Sequence, residues 1–91
     1  MEWVYFKDAF VSKDQAVVSI DDRSYRFGDG IFETILCTQG KMYDAPHHFA
    51  RLKNGLEFFR IHLALPDLSH ICMELIEKNQ LDEGYIPVSY T

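Results

Sequence analysis

The sequence predicts an α+β domain in which an antiparallel β-sheet is covered by two α-helices. Stretches rich in β-branched and aromatic residues fill much of the chain up to Tyr43, two helical repeats follow, and a strand-like segment closes the chain. Strands and helices that are grouped in this way are typical of the α+β class, because the strands pair with each other and the helices cover one face. A chain of 91 residues has room for one domain.

The first elements are short and rich in β-formers. Trp3–Phe6 and Ala9–Val11 flank the polar pair Lys7-Asp8, which predicts a β-hairpin. The pair contains no glycine, so the sequence leaves the turn type open. After a polar stretch, Ala16–Ile20 is interpreted as a short strand or extended segment.

The next segment, from Asp22 to Gly30, is predicted to be a turn that leads into a strand. Gly28 and Gly30 allow positive φ on either side of Asp29, whose carboxylate is expected to stabilise the turn rather than act as an acid. Ile31–Thr38 is β-branched and apolar and is predicted to be the longest strand.

A second hairpin and a helix follow. Gln39-Gly40 is predicted to be a two-residue turn, with Lys41–Tyr43 returning antiparallel. Asp44 is the expected N-cap of a helix that has Pro46 in its first turn. Apolar residues then recur at steps of three and four, which places them on one side of the helix: Phe49, Leu52, Leu56 and Phe59.

The second helix has the clearest periodicity in the chain. Asp67 is its expected N-cap, and its apolar residues are Leu68, Ile71, Cys72, Leu75 and Ile76. The final segment, Tyr85–Thr91, alternates like a strand, with Ile86, Val88 and Tyr90 on one side. Because the sequence stops inside this strand, we expect it to be the front part of a longer polypeptide.

Composition excludes several classes of function. The net charge is −5, and the nine Lys and Arg residues are scattered, so we expect neither nucleic acid nor an anionic membrane as a partner. Cys37 and Cys72 lie in apolar stretches and are interpreted as reduced core thiols. No signal peptide or membrane span is evident, which makes the cytoplasm the default location.

Common catalytic motifs find no match. His47 and His48 are adjacent and therefore diverge on a helix, so no metal site is predicted. Gly28-x-Gly30 lacks the rest of a phosphate-binding loop, and no Ser/His/Asp arrangement is evident.

A longer set of residues does stand in a recognisable order: Asp22-Arg23-x-Tyr25-x-Phe27-Gly28-Asp29-Gly30-Ile31-Phe32-Glu33, Gly40, His48-x-x-Arg51-Leu52 and Tyr85-Ile86. This order resembles the N-terminal small domain of the class IV (fold type IV) pyridoxal-phosphate enzymes. That family includes branched-chain aminotransferases, D-amino-acid aminotransferases and aminodeoxychorismate lyase. The resemblance extends over essentially the whole chain. It implies a two-domain enzyme, in which pyridoxal 5′-phosphate lies between the small domain and a larger one, and usually a homodimer.

The resemblance assigns Arg51 to the cofactor phosphate. A guanidinium suits this role because its planar fork of donors matches phosphate oxygens and stays charged when partly buried. The alternative is a surface arginine paired with Glu57 or another acid. His48, one turn earlier, either supports Arg51 or is a solvated or capping residue.

The resemblance also assigns Phe27, Phe32 and Tyr85 to the wall of the substrate pocket. The alternative is that these aromatic side chains belong to the core. Glu33 follows Phe32 and is expected to point to the opposite face of the sheet and make a structural hydrogen bond.

Two residues depart from the family pattern. Ser24 replaces a glycine of some members, which is expected to affect only the geometry of the loop. Pro87 stands where several members carry a polar or cationic side chain that recognises substrate, and this departure puts substrate choice in doubt. The Schiff-base lysine is also missing, since none of the five lysines has an apolar setting: Lys7, Lys13, Lys41, Lys53 and Lys78. In the family this lysine comes later in the chain, so we expect the 91-residue chain to be inactive by itself.

The resemblance therefore implies that the full-length protein moves an amino group between an amino acid, of branched-chain or D type, and a 2-oxo acid. The alternative within the family is aminodeoxychorismate lyase, which eliminates pyruvate. The alternative from another class is a non-catalytic binding module, which would apply if the native chain ends at Thr91.

Overall fold

The computed structural model describes residues 1–90, which form two antiparallel sheets and three α-helices. The elements are β1 (Trp3–Phe6), β2 (Ala9–Ser12), α1 (Arg23–Phe27), β3 (Ile31–Thr38), β4 (Lys41–Met42), α2 (Ala45–Phe58), α3 (Leu68–Asn79) and β5 (Gly84–Tyr90). Strands β1 and β2 pair with each other, and the second sheet has the order β4-β3-β5. The predicted α+β class is confirmed. Thr91, the last residue of the predicted final strand, lies outside the described residues.

The first hairpin is confirmed, with Trp3 opposite Ser12 and Phe6 opposite Ala9. Its turn residues Lys7 and Asp8 have φ of 50° and 65°, which is the combination that a type I′ turn requires. This turn type follows the right-handed twist of the strands, so it forms here without glycine.

The segment 16–20 is not a strand. It follows a 3₁₀ turn at Lys13–Gln15, pairs with neither sheet, and leaves Val17, Val18 and Ile20 exposed. The strand interpretation is therefore wrong, and the segment ends in a turn in which the Asp22 N–H group donates to the Ser19 carbonyl oxygen. Residues with high β propensity form a strand only where a neighbouring strand offers hydrogen bonds, and this segment has no such neighbour among the described residues.

The segment predicted to be a turn before β3 contains the short helix α1. The Asp22 carboxylate accepts hydrogen bonds from the backbone N–H groups of Ser24 and Tyr25, and Gly28 ends the helix with φ of 65°. Gly30 does not have positive φ, so the expectation for that glycine is wrong. A Cβ atom at Gly30 would lie 2.9 Å from the Tyr90 carbonyl oxygen, and it is this close approach of β5 that requires glycine.

Helix α2 starts at the predicted place but is capped differently. Asp44 adopts a left-handed conformation, and its carboxylate contacts His47 Nδ1 at 2.5 Å rather than a backbone N–H group. Leu52 and Leu56 are buried as the periodicity predicts. Phe59 follows the last helical residue and is exposed, so its predicted place on the buried side is wrong.

Helix α3 confirms the sequence prediction closely. The Asp67 carboxylate caps it by accepting a hydrogen bond from the His70 N–H group at 3.1 Å. Leu68, Cys72 and Ile76 are buried. Asn79, at the end of the helix, exchanges hydrogen bonds of 2.7 and 2.9 Å with the backbone of Trp3, which holds the first hairpin to this end of α3.

The core lies between the three-stranded sheet and helices α2 and α3. Alternate residues of β3 point into it, and the five buried members of the larger cluster are Ile35, Cys37, Cys72, Ile76 and Ile86. A second cluster joins Leu52, Leu56 and Leu68. Gly55 lets α2 approach β3, because a Cβ atom there would lie within bonding distance of the Ile31 side chain.

Both cysteines are buried and free. Burial raises the pKa of the Cys37 thiol, and it raises that of Cys72 to about 11. The interpretation of both as core residues is confirmed. Within residues 1–90, no helix has the length and apolar character needed to cross a membrane, and no cluster of His, Cys, Asp or Glu side chains is suited to a metal ion.

Candidate functional site

A hydrogen-bonded cluster of three polar side chains lies where the first half of α2 packs against β3. Glu33 is on the inner face of β3, while His48 and Arg51 are one turn apart on α2. The Glu33 carboxylate accepts hydrogen bonds from Arg51 Nε, at 3.0 Å to Oε2, and from Arg51 Nη2, at 2.7 Å to Oε1. His48 Nδ1 lies 2.7 Å from the same Oε1 atom. The three side chains therefore form one network.

Charge in this network is fixed by the ion pair. The hydrogen bond from Arg51 lowers the pKa of Glu33, burial opposes this by raising it, and the hydrogen bond from His48 lowers it further. Glu33 in turn raises the already high pKa of Arg51. Because an ionised carboxylate can only accept, His48 Nδ1 carries the hydrogen of its contact with Glu33.

Arg51 remains open to solvent although it is paired. Its side chain is 71% exposed, whereas the Glu33 side chain is 10% exposed. The pair uses the Nε/Nη2 edge of the guanidinium, so the edge formed by Nη1 and Nη2 can still donate to another group. The arrangement can bind an anion, and phosphate and carboxylate are the anions whose oxygens match a planar fork of donors.

Arg51 and His48 both contact Glu33 instead of separate partners. Arg51 does pair with an acid, as one alternative proposed, but the acid is Glu33 rather than Glu57. The structural hydrogen bond expected of Glu33 is present, and His48 joins the network rather than standing in solvent. The assignment of Arg51 to a cofactor phosphate stays a prediction.

The three aromatic side chains predicted to line a pocket are not core residues. Phe27, Phe32 and Tyr85 are 64%, 69% and 67% exposed. Phe32 and Tyr85 lie on the outer face of the sheet, where Phe32 is opposite Ser89 and Tyr85 is opposite Leu36. The core alternative is therefore wrong for all three, and their role as a pocket wall stays a prediction.

Phe27 does not belong to the sheet and is the last residue of α1. The guanidinium groups of Arg23 and Arg26 lie 5.4 and 5.3 Å from its ring centre. Arg23 also donates to Asp29 at 2.6 Å, which agrees with the stabilising role expected of this carboxylate. These contacts hold the segment that leads into β3.

Apart from Phe27 on α1, the structure separates the predicted site residues into two groups. Phe32 and Tyr85 are on the outer face, whereas Arg51 is joined to Glu33, which belongs to the inner face. Since Phe32 and Glu33 are consecutive, β3 carries one member of each group.

The structure also shows where Pro87 and the five lysines lie. Pro87 pairs with Thr34 in β5, which is an edge strand, and a proline is tolerated there because a missing N–H group does not interrupt a central ladder. All five lysine side chains are exposed. The sequence did not predict that Glu33 pairs with Arg51. It did contain a signal that Glu33 needs a partner, because this charged residue is in phase with the buried Ile35 and Cys37.

The family model and the similar proteins that match this chain are all aminotransferases. The model of the family described as amino-transferase class IV matches residues 30–91. The D-alanine aminotransferase of Staphylococcus aureus (strain MSSA476) is 33% identical over 93 residues, which cover 100% of this chain and 33% of that protein. The D-alanine aminotransferase of Bacillus licheniformis is 30% identical over 90 residues, which cover 97% and 32%.

Among solved structures, the crystal structure of the branched-chain amino acid aminotransferase of Escherichia coli matches with a TM-score of 0.90. The match covers 97% of this chain and 31% of that chain, at 22% sequence identity, and it therefore shows a shared fold.

The fold and these matches define the class of protein to which this α+β domain belongs. This chain belongs to the class IV aminotransferase family. It spans about a third of the length of the curated relatives that it matches.

Proposed function

We propose that this chain is the small domain of a pyridoxal 5′-phosphate-dependent aminotransferase, with a larger cofactor-lysine domain elsewhere in the full-length polypeptide. The full-length protein would move an amino group from an amino acid, of D or branched-chain type, to a 2-oxo acid. The observation that carries the proposal is the exposed guanidinium of Arg51, which is held by Glu33 at the family's His-x-x-Arg-Leu position. The names of the relatives, D-alanine and branched-chain aminotransferases, support the reaction class.

The donor set fits the phosphate of the cofactor. Arg51 has a free edge of two N–H groups and a charge that persists at any physiological pH. When bound, pyridoxal phosphate supplies the electron sink for the reaction, and the protein binds and orients it. In this chain, the proposed contribution is to anchor the phosphate ester through Arg51.

The exposed rings of Phe27, Phe32 and Tyr85 are proposed to form the small-domain wall of the substrate pocket. Large aromatic side chains that remain exposed in a small domain are typical of surfaces that another domain or a ligand covers. By the family's pattern, a second copy of the protein would help to close this pocket as a homodimer.

The lysine that binds the cofactor is proposed to come from outside this chain. All five lysines here are exposed, and an amine becomes reactive at physiological pH when burial or a neighbouring cation makes its charged form less favourable. We therefore expect the 91-residue chain alone to have no transaminase activity. A cytoplasmic location also stays a prediction.

The test uses the purified full-length polypeptide loaded with pyridoxal 5′-phosphate. We expect amino transfer from D-alanine or from L-leucine to 2-oxoglutarate, and the ratio of the two rates gives the substrate type. Release of pyruvate from aminodeoxychorismate without any need for 2-oxoglutarate would replace this proposal with the lyase. Failure to bind the cofactor, with no reaction of either kind, would leave the non-catalytic binding module as the explanation.

Arg51 is tested in the same protein. Arg51→Ala should loosen the cofactor by about a hundredfold, because two charge-assisted hydrogen bonds are lost. Lys53→Ala is the matched control, since it removes an exposed positive charge from the same helix and should leave cofactor binding unchanged. Cofactor that is retained by Arg51→Ala through dialysis as in the unsubstituted protein would contradict the role.

A further inference from the structure

A carboxylate on the inner face of β3 makes folding less favourable than an apolar side chain would. Glu33 occupies the inward phase of the strand, together with Ile35 and Cys37, and an apolar side chain would be the ordinary occupant of such a position. Burying a charge disfavours folding unless it is paired, and an ion pair to a mostly exposed arginine returns little stability. Stability alone therefore does not explain a carboxylate here.

The contact geometry suggests what the carboxylate does. Glu33 engages the Nε/Nη2 edge of Arg51 through two hydrogen bonds, at 3.0 and 2.7 Å, which fixes the plane of the guanidinium as well as its position. The opposite edge is left free. An exposed arginine without such a partner would sample many rotamers, and it would have to be ordered each time a ligand bound.

Glu33 is itself held firmly. It lies on β3, the central strand of its sheet, which pairs with β4 on one side and β5 on the other. His48 Nδ1 donates to Oε1 at 2.7 Å, and this contact restrains rotation of the carboxylate. The orientation of the guanidinium is thus set by a rigid strand and by a second side chain on α2.

We propose that Glu33, supported by His48, is a positioning residue that orients the Arg51 guanidinium toward the phosphate of pyridoxal 5′-phosphate. This inference rests on the proposed function, in which Arg51 binds that phosphate. Glu33 touches no cofactor atom in this scheme and acts only through Arg51. Its effect should therefore be confined to ligands that carry the phosphate group.

The experiment compares pyridoxal 5′-phosphate with pyridoxal, which lacks the phosphate. Equilibrium dissociation constants for both are measured by absorbance in the full-length apoprotein, for the unsubstituted protein and for Glu33→Gln, Arg51→Ala and the double variant. Glu33→Gln keeps the size of the side chain and one acceptor oxygen but removes the charge and the second acceptor. Glu83→Gln is the matched control, because Glu83 accepts hydrogen bonds from Thr38 and Gln39 at the far end of β3.

We expect Glu33→Gln to weaken binding of pyridoxal 5′-phosphate about tenfold, as is usual when the partner that orients a ligand-binding group is changed. Binding of pyridoxal should not change. In the Arg51→Ala background, Glu33→Gln should have no further effect, because the residue through which it acts is gone. Glu83→Gln should leave both constants unchanged.

The outcomes separate the two proposals. If Arg51→Ala weakens both compounds equally or neither, the proposed phosphate role of Arg51 fails, and the inference about Glu33 fails with it. If Arg51→Ala is selective for the phosphate but Glu33→Gln is not, only the inference about Glu33 is overturned. Equal weakening of both compounds by Glu33→Gln would indicate a merely structural role and would also overturn it.

A second variant covers the case in which Glu33→Gln does not fold. His48→Gln removes the ring that restrains the Glu33 carboxylate while leaving the Glu33–Arg51 pair in place. It should weaken pyridoxal 5′-phosphate about threefold and leave pyridoxal unaffected, because one of several restraints is lost. An unchanged ratio of the two dissociation constants would count against the inference.

Discussion

Replacing Gly30 by alanine should destabilise the protein through a steric clash and not through backbone strain. The new Cβ would lie 2.7 Å from Ser24 Oγ and 2.9 Å from the Tyr90 carbonyl oxygen. The serine can rotate, but Tyr90 is paired with Ile31 in the β3–β5 ladder and cannot move without breaking it. Overpacking of this kind costs about 1–3 kcal/mol in the free energy of unfolding. For a domain of this size, each kcal/mol corresponds to roughly 4–8 °C in Tm.

The assay is urea denaturation followed by circular dichroism, with Gly28 as the comparison. Gly28→Ala meets no atom within 4 Å, but it places an alanine at φ of 65°, so its cost of about 1–2 kcal/mol comes from the backbone. Adding Ser24→Ala should recover part of the loss in Gly30→Ala and none of the loss in Gly28→Ala. Gly28→Asn should be milder than Gly28→Ala, because asparagine tolerates the left-handed region.

The steric argument would be refuted by a Gly30→Ala loss below about 0.5 kcal/mol, which is the range of substitutions at uncrowded surface sites. It would also be refuted if Ser24→Ala gave the same recovery to both glycine variants.

Three further predictions concern the core and the buried titratable groups. Leu52→Ala should lower the free energy of unfolding by about 2–5 kcal/mol, since the side chain is fully buried between α2 and the sheet. Lys53→Ala is the exposed control. A loss below about 1 kcal/mol for Leu52→Ala in urea titration would contradict the packing. The pKa of Glu33 is lowered in the folded protein, so its contribution to the free energy of unfolding is complete above its ordinary pKa of 4.5 and is lost as the pH falls through the lower folded pKa. The difference in stability between the unsubstituted protein and Glu33→Gln should therefore become smaller from pH 5 to pH 3, and a constant difference would refute this linkage. The pKa of Cys72 is raised from 9.0 to about 11, so its contribution to the free energy of unfolding is complete below pH 9 and is lost as the pH rises toward 11, by about 2–3 kcal/mol at most. Cys72→Ala should lack this part of the loss of stability at alkaline pH. Equal slopes of stability against pH in this range for the two proteins would contradict the prediction.

Elements with strong periodicity and clear caps could be predicted from the sequence. Helix α3 combines apolar residues at helical spacing with the Asp67 cap, so several independent signals agree. Strand β3 is long and rich in β-branched and apolar residues, and the turn at Gln39-Gly40 has the left-handed φ angles, 52° and 71°, that a two-residue hairpin needs.

Elements that depend on a partner or on a single turn could not be predicted. Helix α1 has five residues, which is too short for a periodic pattern, and its only sequence signals are the Asp22 cap and Gly28. The segment 16–20 has the composition of a strand but no neighbour to pair with. Neither the absence of a neighbour nor the close approach of β5 to Gly30 can be seen in the order of residues.

For the candidate site, the motif indicated Arg51 and its neighbour His48, and strand alternation indicated that Glu33 and Phe32 point to opposite faces of the sheet. The pairing of Glu33 with Arg51 joins residues that are 18 positions apart on different elements, so it follows from the packing of α2 on β3. The sequence left open whether Phe32 and Tyr85 line a pocket or fill the core, because β propensity does not distinguish the two faces of a sheet that is covered on one side only.

The alternation of β3 also bears on how this protein could change over evolutionary time. Phe32, Thr34 and Leu36 face outward, while Glu33, Ile35 and Cys37 face inward. Mutations at positions 32, 34 and 36 can change the chemistry of the outer face without disturbing the residues that keep the chain folded. A lineage could therefore alter this face through single substitutions on one strand, and directed evolution aimed at these three positions should yield folded variants at high frequency.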